Sequence, residues 1–241
     1  MTDTLHEPQI VKKFIHEIIV RDKRLNRHIH HDPRSKDYPA PLAPNVSDVM
    51  HEAWYMPLNQ GNVGCCTADA LCGALNCNPD YSGTPSTQEN AIALYTKETE
   101  NEGQPYPTYD PGGSGLAVCK AAVQLGWITA YGHTFSLEDS LKALVLRPAI
   151  YGVSWYSSFD YPDSGGVVSI ASSAFVRGGH EVCAQGISTE NRLVWFWNSW
   201  GSTYGIGGRF AMSFDTLEQL LADQGDCTVP IVGSTGNVSA T

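Results

Sequence analysis

Two adjacent cysteines, Cys65 and Cys66, stand in the segment NQGNVGCCTADALCGAL, between a glycine-containing loop and a helical pattern. A thiol at the start of a helix lies close to unpaired backbone N–H groups and to the positive end of the helix dipole, and both favour a thiolate. Cys66 is therefore the candidate nucleophile, and its own N–H would point at a developing oxyanion. Gln60, on the same loop, offers a second donor, and Gly64 lets the backbone approach a substrate closely.

A nucleophilic thiol needs a base and a group that orients the base. The segments GGHEVCAQGIS and NRLVWFWNSW predict two antiparallel strands joined by a turn near residues 189–192. A turn centred near residue 189 pairs His180 with Asn198, and opposite side chains in such a pair lie about 5 Å apart. The Asn198 amide oxygen would then accept a hydrogen bond from the imidazole, and Trp200 on the same face would shield that bond. A single histidine in a strand is more often a satisfied core residue, but this pairing and the flanking Gly179 favour a catalytic base.

The segment from Thr67 to about Leu146 has a helical pattern. Hydrophobic residues recur at intervals of three and four residues as far as about Leu146, and Ser136 with Asp139 forms a capping box. The first predicted helix has a buried face made of Ala68, Leu71, Cys72 and Leu75. Further helices are predicted near Thr87–Glu100, near Leu116–Leu125 and after Ser136.

After Pro148 the pattern changes to strands, separated by Gly, Asp, Ser and Asn turns. The predicted strands are AIYGVSWY, GVVSIA, HEVCAQGIS, RLVWFWNSW, GRFAMSF and a last one near Thr228–Val232, with a short helix at TLEQLLAD. Helices followed by antiparallel strands indicate an α+β protein of two lobes with a site in the cleft between them. We predict an arm at residues 1–38, a mainly helical lobe at 39–146 with the nucleophile, and a mainly β lobe at 147–241 with the histidine and asparagine.

The charge of the chain is distributed unevenly. The 241 residues carry a net charge of −10. Residues 1–36 hold eight basic and five acidic side chains, a charge of +3, whereas residues 37–241 hold seven and twenty, a charge of −13. An acidic body argues against nucleic acid as the main ligand. The sequence shows no membrane-spanning run and no secretory signal, which predicts a cytoplasmic protein or one released without a recognisable signal peptide.

The arm at residues 1–38 contains an apolar helical face at Ile10, Val11, Phe14, Ile15, Ile18 and Ile19. We expect this face to pack on the catalytic body, either as a short pro-segment over the cleft or as a structural strap. The three histidines His28, His30 and His31 are interpreted as solvated residues rather than as metal ligands. The seven cysteines include no C-x2-C pair and are expected to be free thiols, so no structural metal is predicted.

The blocks NQGNVGCC, GGHEV and WNSWGSTYGIGGRF resemble, in order and spacing, the signature blocks of the papain-like cysteine peptidases, and in style the short bacterial and phage branch. The similarity runs from about Tyr38 to the C-terminus. It implies a papain-like two-lobe α+β fold, with a helical N-terminal lobe and an antiparallel β-barrel-like C-terminal lobe. The resemblance assigns the nucleophile to Cys66, the base to His180, its orienting residue to Asn198 and the oxyanion donor to Gln60. The candidates for substrate binding are Gly64, Gly112, Gly113, Gly179 and Trp200.

The resemblance implies a cysteine endopeptidase that acts on proteins or peptides without a metal or other cofactor. Two alternatives use the same fold: an amidase or cell-wall peptide hydrolase with the same triad, and a non-catalytic binding protein. The chain departs from the family pattern at Thr67, where the family usually has Trp, and at Val63, where many relatives have a disulfide cysteine. Cys65 takes the place of a small residue such as Ser, and is either a tolerated substitution or a redox partner of Cys66.

Overall fold

The computed structural model describes residues 25–233 of the chain, and these residues form an α+β structure. Its helices are α1 Cys66–Leu75, α2 Gln88–Asn101, α3 Gly115–Gln124, α4 Leu137–Leu146 and α5 Phe214–Ala222. Single 3-10 turns lie at Pro33–Asp37 and Ser157–Asp160. The sequence predicts all five helices, with bounds that differ only slightly. In this described part of the chain, no helix is long and apolar enough to cross a membrane.

Four of the five helices begin at a hydroxyl side chain that accepts a hydrogen bond from a backbone N–H in the first turn. Ser136 fills this role for α4, as the capping box predicts, and accepts from the N–H of Asp139 at 3.0 Å. Helix α1 differs, because its N-cap residue Cys65 makes no such side-chain hydrogen bond. The first turn of α1 therefore keeps backbone N–H groups that no capping side chain has taken.

The strands are β1 Val49–Met50, β2 Ala130–Thr134, β3 Ala149–Tyr156, β4 Val167–Val168, β5 Val176–Ser188, β6 Leu193–Trp197, β7 Arg209–Ser213 and β8 Asp226–Ile231. They form one sheet in the order β2-β8-β3-β5-β6-β7-β4, with β1 on a further stretch of β5. Neighbouring strands are antiparallel except β4 and β7, which are parallel. The sheet does not close on itself, so the barrel-like form expected of this lobe is realised as an open, mainly antiparallel sheet.

Three strands differ from the sequence analysis, and one of them is the two-residue strand β1, which was not predicted. Strand β2 was not predicted, because a five-residue segment between two helices gives little periodicity of its own. It is formed by long-range pairing with β8, from Ala130 opposite Ile231 to Thr134 opposite Cys227. Strand β4 has only two of the residues of the predicted strand GVVSIA. Edge segments of this kind depend on their partner strand more than on local propensity.

The core has two parts, one built mainly from helices and one built mainly from the sheet. The helical part contains α1, α2 and α3 together with Ile150 and Cys183 from the sheet, and the second part packs the sheet against α4 and α5. All ten residues of α1 are buried, although the sequence analysis predicted only one buried face. Helices cover one side of α1 and the sheet covers the other, so Cys66 begins a helix with no exposed face.

The end of the arm, from residue 25 onward, lies on the body. Its first described residue, Leu25, packs against the sheet part of the core. Further along, the N–H of Ala40 donates to His133 O, and the N–H of His133 donates to Tyr38 O, so the arm borders β2. The predicted apolar face at residues 10–19 lies outside the described residues.

Candidate active site

Cys66 is the first residue of α1, and its side chain is fully buried. The thiol accepts a hydrogen bond from the backbone of Glu181, the residue that follows His180 on β5. The two elements that carry the candidate catalytic residues, α1 and β5, pack against each other where the helical part of the core joins the sheet. Cys65 points elsewhere, and its Sγ donates to Asp69 Oδ2 at 3.0 Å.

His180 lies on β5 and is completely buried. Its Nε2 and Asn198 Oδ1 are 2.9 Å apart, while its Nδ1 makes no hydrogen bond to any residue of the described chain. An imidazole held in this way donates through Nε2 and keeps Nδ1 as the nitrogen that can take a proton.

The predicted pairing of His180 with Asn198 in the β-ladder is wrong. Cys183 pairs with Trp197, a bulge follows at Gln185, and β6 ends at Trp197. Asn198 therefore lies just beyond the ladder, and His180 is opposite Val153 of β3. The turn is centred between Glu190 and Asn191, since Ser188 pairs with Leu193, whereas the predicted pairing requires a turn centred at residue 189. The bulge at Gln185 then shifts the later positions by only one residue. The side chains still meet because Asn198 turns toward the imidazole from the end of β6.

Trp200 joins the histidine to the loop that carries Gln60. The Trp200 and His180 rings lie 5.1 Å apart with an interplanar angle of 31°. The indole Nε1 of Trp200 donates to Gln60 Oε1 at 3.2 Å, and Ser199 Oγ donates to the same oxygen at 2.7 Å. These two bonds fix which end of the Gln60 amide carries the donor. That donor, Nε2, lies 2.7 Å from Val63 O.

Burial keeps both Cys66 and His180 in their neutral forms. Burial raises the pKa of the Cys66 thiol, and the hydrogen bond from the Glu181 backbone opposes it only in part. Burial also lowers the pKa of His180 to about 4, against the raising effect of Asn198. At neutral pH the closed structure therefore holds a thiol and an uncharged imidazole. A thiolate–imidazolium pair requires a more polar surrounding.

Asp110 and Tyr95, which the sequence analysis did not identify, position two of the candidate glycines. The N–H of Gly64 donates to Asp110 Oδ1 at 2.9 Å. The Tyr95 hydroxyl donates to the same carboxylate oxygen at 2.7 Å and accepts from the N–H of Gly112 at 2.8 Å. Gly112 has a φ of 90°, a backbone conformation that favours glycine. One partly buried network thus holds the backbone of the loops that precede α1 and α3.

Glu98, on α2, positions the third glycine. Its carboxyl group accepts from Thr67 Oγ1 at 2.7 Å and from the N–H of Ser114 at 3.1 Å. A side chain at Gly113 would collide with this carboxyl group. Thr67, which stands where the family usually has Trp, therefore connects the first turn of α1 to the Gly113 loop. Nothing in the local sequence around Glu98 indicates this contact, since its partners are distant along the chain.

The arm lies between the candidate substrate-binding glycines. The N–H of Arg27 donates to Gly179 O at 3.0 Å. On the other side, the N–H of His28 donates to Gly113 O at 2.6 Å, and the N–H of Gly113 donates to Asn26 O at 3.2 Å. Residues 26–28 thus form short β-bridges to both lobes at once. The backbone groups expected to bind a substrate are occupied by the chain's own arm.

His28, His30 and His31 lie in different surroundings. His28 takes part in the arm's backbone contact with Gly113. His30 and His31 line a cavity of about 560 Å³ between the arm and β8. Across residues 25–233 no group of three or more His, Cys, Asp or Glu side chains is arranged to hold a metal ion.

Comparison of the chain with known proteins gives similarity in structure only. No family model matches the sequence, and no curated protein sequence matches it. Among solved structures, xylellain, a cysteine protease from Xylella fastidiosa, is 20% identical, with a TM-score of 0.67 over 88% of this chain and 97% of that one.

Two further structures extend the comparison. The cysteine protease CMS1MS2 of Carica candamarcensis, solved in complex with E-64, is 17% identical, with a TM-score of 0.54 over 77% of this chain and 99% of that one. The proform of the ragweed pollen allergen Amb a 11, a cysteine protease, is 16% identical, with a TM-score of 0.59 over 90% of this chain and 77% of that one. These likenesses establish that the chain has the papain-like cysteine peptidase fold.

Proposed function

We propose that this chain is a papain-like cysteine peptidase that hydrolyses peptide bonds with Cys66, His180 and Asn198. The observation that carries the proposal is the arrangement of the pair His180–Asn198. Its Nε2–Oδ1 contact of 2.9 Å leaves the other imidazole nitrogen without a hydrogen bond in the described chain, on the strand β5 that packs against α1, the helix that begins at Cys66. A structural histidine buried this deeply would normally satisfy both nitrogens.

The reaction follows from these positions. His180 Nδ1 takes the proton of Cys66, and the thiolate attacks the peptide carbonyl carbon, which forms a C–S bond. The oxyanion is held by the backbone N–H of Cys66 at the start of α1, with Gln60 Nε2 as the second donor after it leaves Val63 O. His180 then protonates the leaving amine as the C–N bond breaks. Water, deprotonated by His180, attacks the acyl carbon and releases the acid and the free thiol.

The state with the arm in the cleft is inactive in this proposal, because residues 26–28 form hydrogen bonds with the backbone groups of Gly113 and Gly179. A substrate can bind only after the arm has left the cleft, and water that enters with it would favour the charged forms of Cys66 and His180. The arm therefore acts as an internal competitor for the substrate-binding backbone.

Labelling by an active-site-directed epoxide, with turnover of fluorogenic peptides, tests the proposal. We expect one equivalent of label on Cys66, found by peptide mapping, and loss of turnover in proportion to labelling. Cys66→Ala is the control that should take no label, and Cys65→Ala should still be labelled. Labelling of Cys65 instead, or peptide turnover that survives complete labelling of Cys66, would contradict the proposed nucleophile. Turnover of cell-wall peptides in place of protein-derived ones would identify the amidase alternative.

A further inference from the structure

The side chain of Arg27 fills a closed acidic pocket in the cleft. Only 1% of that side chain is exposed. Its Nη2 forms an ion pair with Asp226 Oδ2 and donates to Gln224 O at 3.2 Å, and its Nε lies 3.9 Å from Glu181 Oε2. The pocket therefore provides two carboxyl groups and one carbonyl oxygen to a single guanidinium group.

Two glycines make room for this charged group. A side chain at Gly152 on β3 would collide with the Arg27 guanidinium, and one at Gly115 would press on Glu181 and Asp226. Because neither position carries a Cβ, the walls come close to the occupant and to the two acids without displacing them. The shape of the pocket thus belongs to the body of the protein, and Arg27 enters it from the arm.

The pocket has no basic side chain of its own in the described chain. Neither carboxylate oxygen of Glu181 has a hydrogen-bond partner among residues 25–233, and neither has Asp226 Oδ1. Without Arg27, the fully buried carboxyl group of Glu181 and the partly exposed one of Asp226 would lie near each other without the cation that now pairs with Asp226. An apolar occupant would leave both carboxyl groups without a counter-charge, which is costly, whereas a guanidinium group forms an ion pair with Asp226 and places positive charge 3.9 Å from Glu181 Oε2.

The backbone on each side of Arg27 is held by the contacts that a substrate would use. Its own N–H binds Gly179 O, next to His180, and its neighbours Asn26 and His28 bind Gly113. A peptide that replaces the arm and pairs with the same two glycines places a side chain in the same pocket. We propose that the Glu181–Asp226 pocket selects substrates with an arginine, and less strongly a lysine, at one position near the scissile bond.

This inference rests on the proposed peptidase activity and adds a substrate class to it. Arginine is favoured over lysine because the planar guanidinium reaches Asp226 and the Gln224 carbonyl from one nitrogen while a second faces Glu181. A single ammonium group offers its donors from one point and matches this arrangement less well.

The test is a positional scan with fluorogenic tetrapeptide amides, in which each position before the scissile bond carries in turn arginine, lysine, citrulline, norleucine or glutamate. Citrulline has the shape of arginine without its charge. For the full-length protein we expect arginine to exceed citrulline and norleucine at one position by about tenfold or more in kcat/KM, as charge-assisted hydrogen bonds are the stronger ones. Equal rates for arginine and citrulline at every position would overturn the proposal.

Substitutions of Glu181 and Asp226 test whether the preference for arginine arises in this pocket. Glu181→Gln and Asp226→Asn should each lower the arginine-to-citrulline ratio severalfold. Asp223→Asn is the matched control, because Asp223 is exposed and only three residues from Asp226, and its ratio should stay unchanged. A ratio that survives in both pocket variants would place the preference elsewhere and overturn the assignment. Thermal melts check that each variant is folded. If a variant does not fold, the positional scan of the unmodified protein alone decides whether arginine is preferred over citrulline.

A binding measurement separates failure of this inference from failure of the proposed function. An Arg27→Ala full-length chain leaves the pocket open, and its affinity for an arginine peptide and for the citrulline peptide of the same sequence can be compared by calorimetry. Tighter binding of the arginine peptide without any turnover would keep the pocket and reject the peptidase. Turnover without any difference between the two peptides would keep the peptidase and reject the pocket.

Discussion

The ring of Trp200 lies over that of His180, with the two centroids 5.1 Å apart. The same indole donates through Nε1 to Gln60 Oε1 at 3.2 Å. One side chain thus covers the proposed base and orients the proposed oxyanion donor on the loop before α1. Trp155 contacts His180 from another direction, with centroids 4.8 Å apart. The imidazole is enclosed by aromatic rings, which explains its burial and its low pKa.

Replacing Trp200 by phenylalanine separates these two effects. Trp200→Phe keeps a ring beside His180 but loses the hydrogen bond to Gln60 Oε1. We expect kcat to fall about fivefold, the value of one hydrogen bond of about 1 kcal/mol, with KM little changed. The exposed Trp54→Phe is the control, and steady-state kinetics on a fluorogenic peptide gives both constants. If kcat falls as much in Trp54→Phe as in Trp200→Phe, the loss of the hydrogen bond to Gln60 is not the cause of the lower kcat.

The proposed catalytic roles of Cys66, His180 and Asn198 can be tested by alanine substitution. Cys66→Ala and His180→Ala should abolish peptide turnover, because they remove the nucleophile and the proton carrier. Asn198→Ala should retain more activity than either, because it orients the imidazole and transfers no proton. Far-UV circular dichroism confirms that each variant is folded. Full activity in Cys66→Ala, together with loss in Cys65→Ala, would show that the wrong thiol has been chosen.

The motifs that predict the candidate site are local in sequence, so they could be recognised without the structure. Cys66 follows a loop and begins a helix, and the sequences of the strand that carries His180 and of the strand that ends just before Asn198 are typical of β-structure. The register between those strands could not be predicted, because it depends on the exact centre of the turn at residues 189–192 and on the bulge at Gln185, where β5 also pairs with β1 and β3. The supporting acids Glu98 and Asp110 were missed for the same reason, since each acts through residues distant in sequence.

Glu98 should make stability depend on pH. Burial raises the pKa of Glu98 to about 8, despite hydrogen bonds from Thr67 and Ser114 that lower it. A carboxyl group with a raised pKa in the folded state stabilises the fold at low pH, and the contribution is lost as pH rises from its ordinary value of 4.5 toward 8. Glu98→Gln should therefore have a melting temperature that falls less between pH 5 and about 8 than that of the unmodified protein.

The matched control for this substitution is Glu100→Gln, an exposed glutamate on the same helix whose partner Lys97 lies at the surface. Its melting curve should follow that of the unmodified protein at every pH. If Glu98→Gln shows the same slope with pH as the control, Glu98 is ionised in the folded protein and the burial argument is wrong.

The role of Cys65 can be decided with a mild oxidant. Its Sγ donates to Asp69, and burial with this neighbouring carboxylate raises the pKa of the Cys65 thiol, so it is a poor nucleophile. We expect Cys65→Ser, whose hydroxyl can make the same hydrogen bond, to keep the activity and the thiol-reversible sensitivity to peroxide of the unmodified protein. Mass spectrometry after oxidation measures the products. Reversible loss that disappears in Cys65→Ser, with a Cys65–Cys66 disulfide in the unmodified protein, would establish a redox pair instead.

The arm should both stabilise the protein and restrain it. Its residues 26–28 bridge the two lobes, and Arg27 forms a buried ion pair with Asp226. Breaking such a pair by removing one partner costs about 3–5 kcal/mol, so Arg27→Ala should lower the melting temperature clearly. The same change frees the cleft, so turnover of a short peptide should rise. The control Arg34→Ala removes a basic side chain of the same arm that is 79% exposed, and it should change neither quantity.

Deletion of residues 1–36 tests the arm as a whole. Without it, Gly113 and Gly179 lose their backbone partners and the acids of the pocket lose their cation, so we expect a lower melting temperature together with a higher kcat/KM. Adding substrate to the full-length protein should also displace the arm, which predicts a lag in product formation that the shortened chain does not show. Lower stability without faster turnover would make the arm a strap that holds the lobes together. No change in either measurement would mean that residues 25–28 leave the cleft at no cost, in contradiction to their contacts with both lobes.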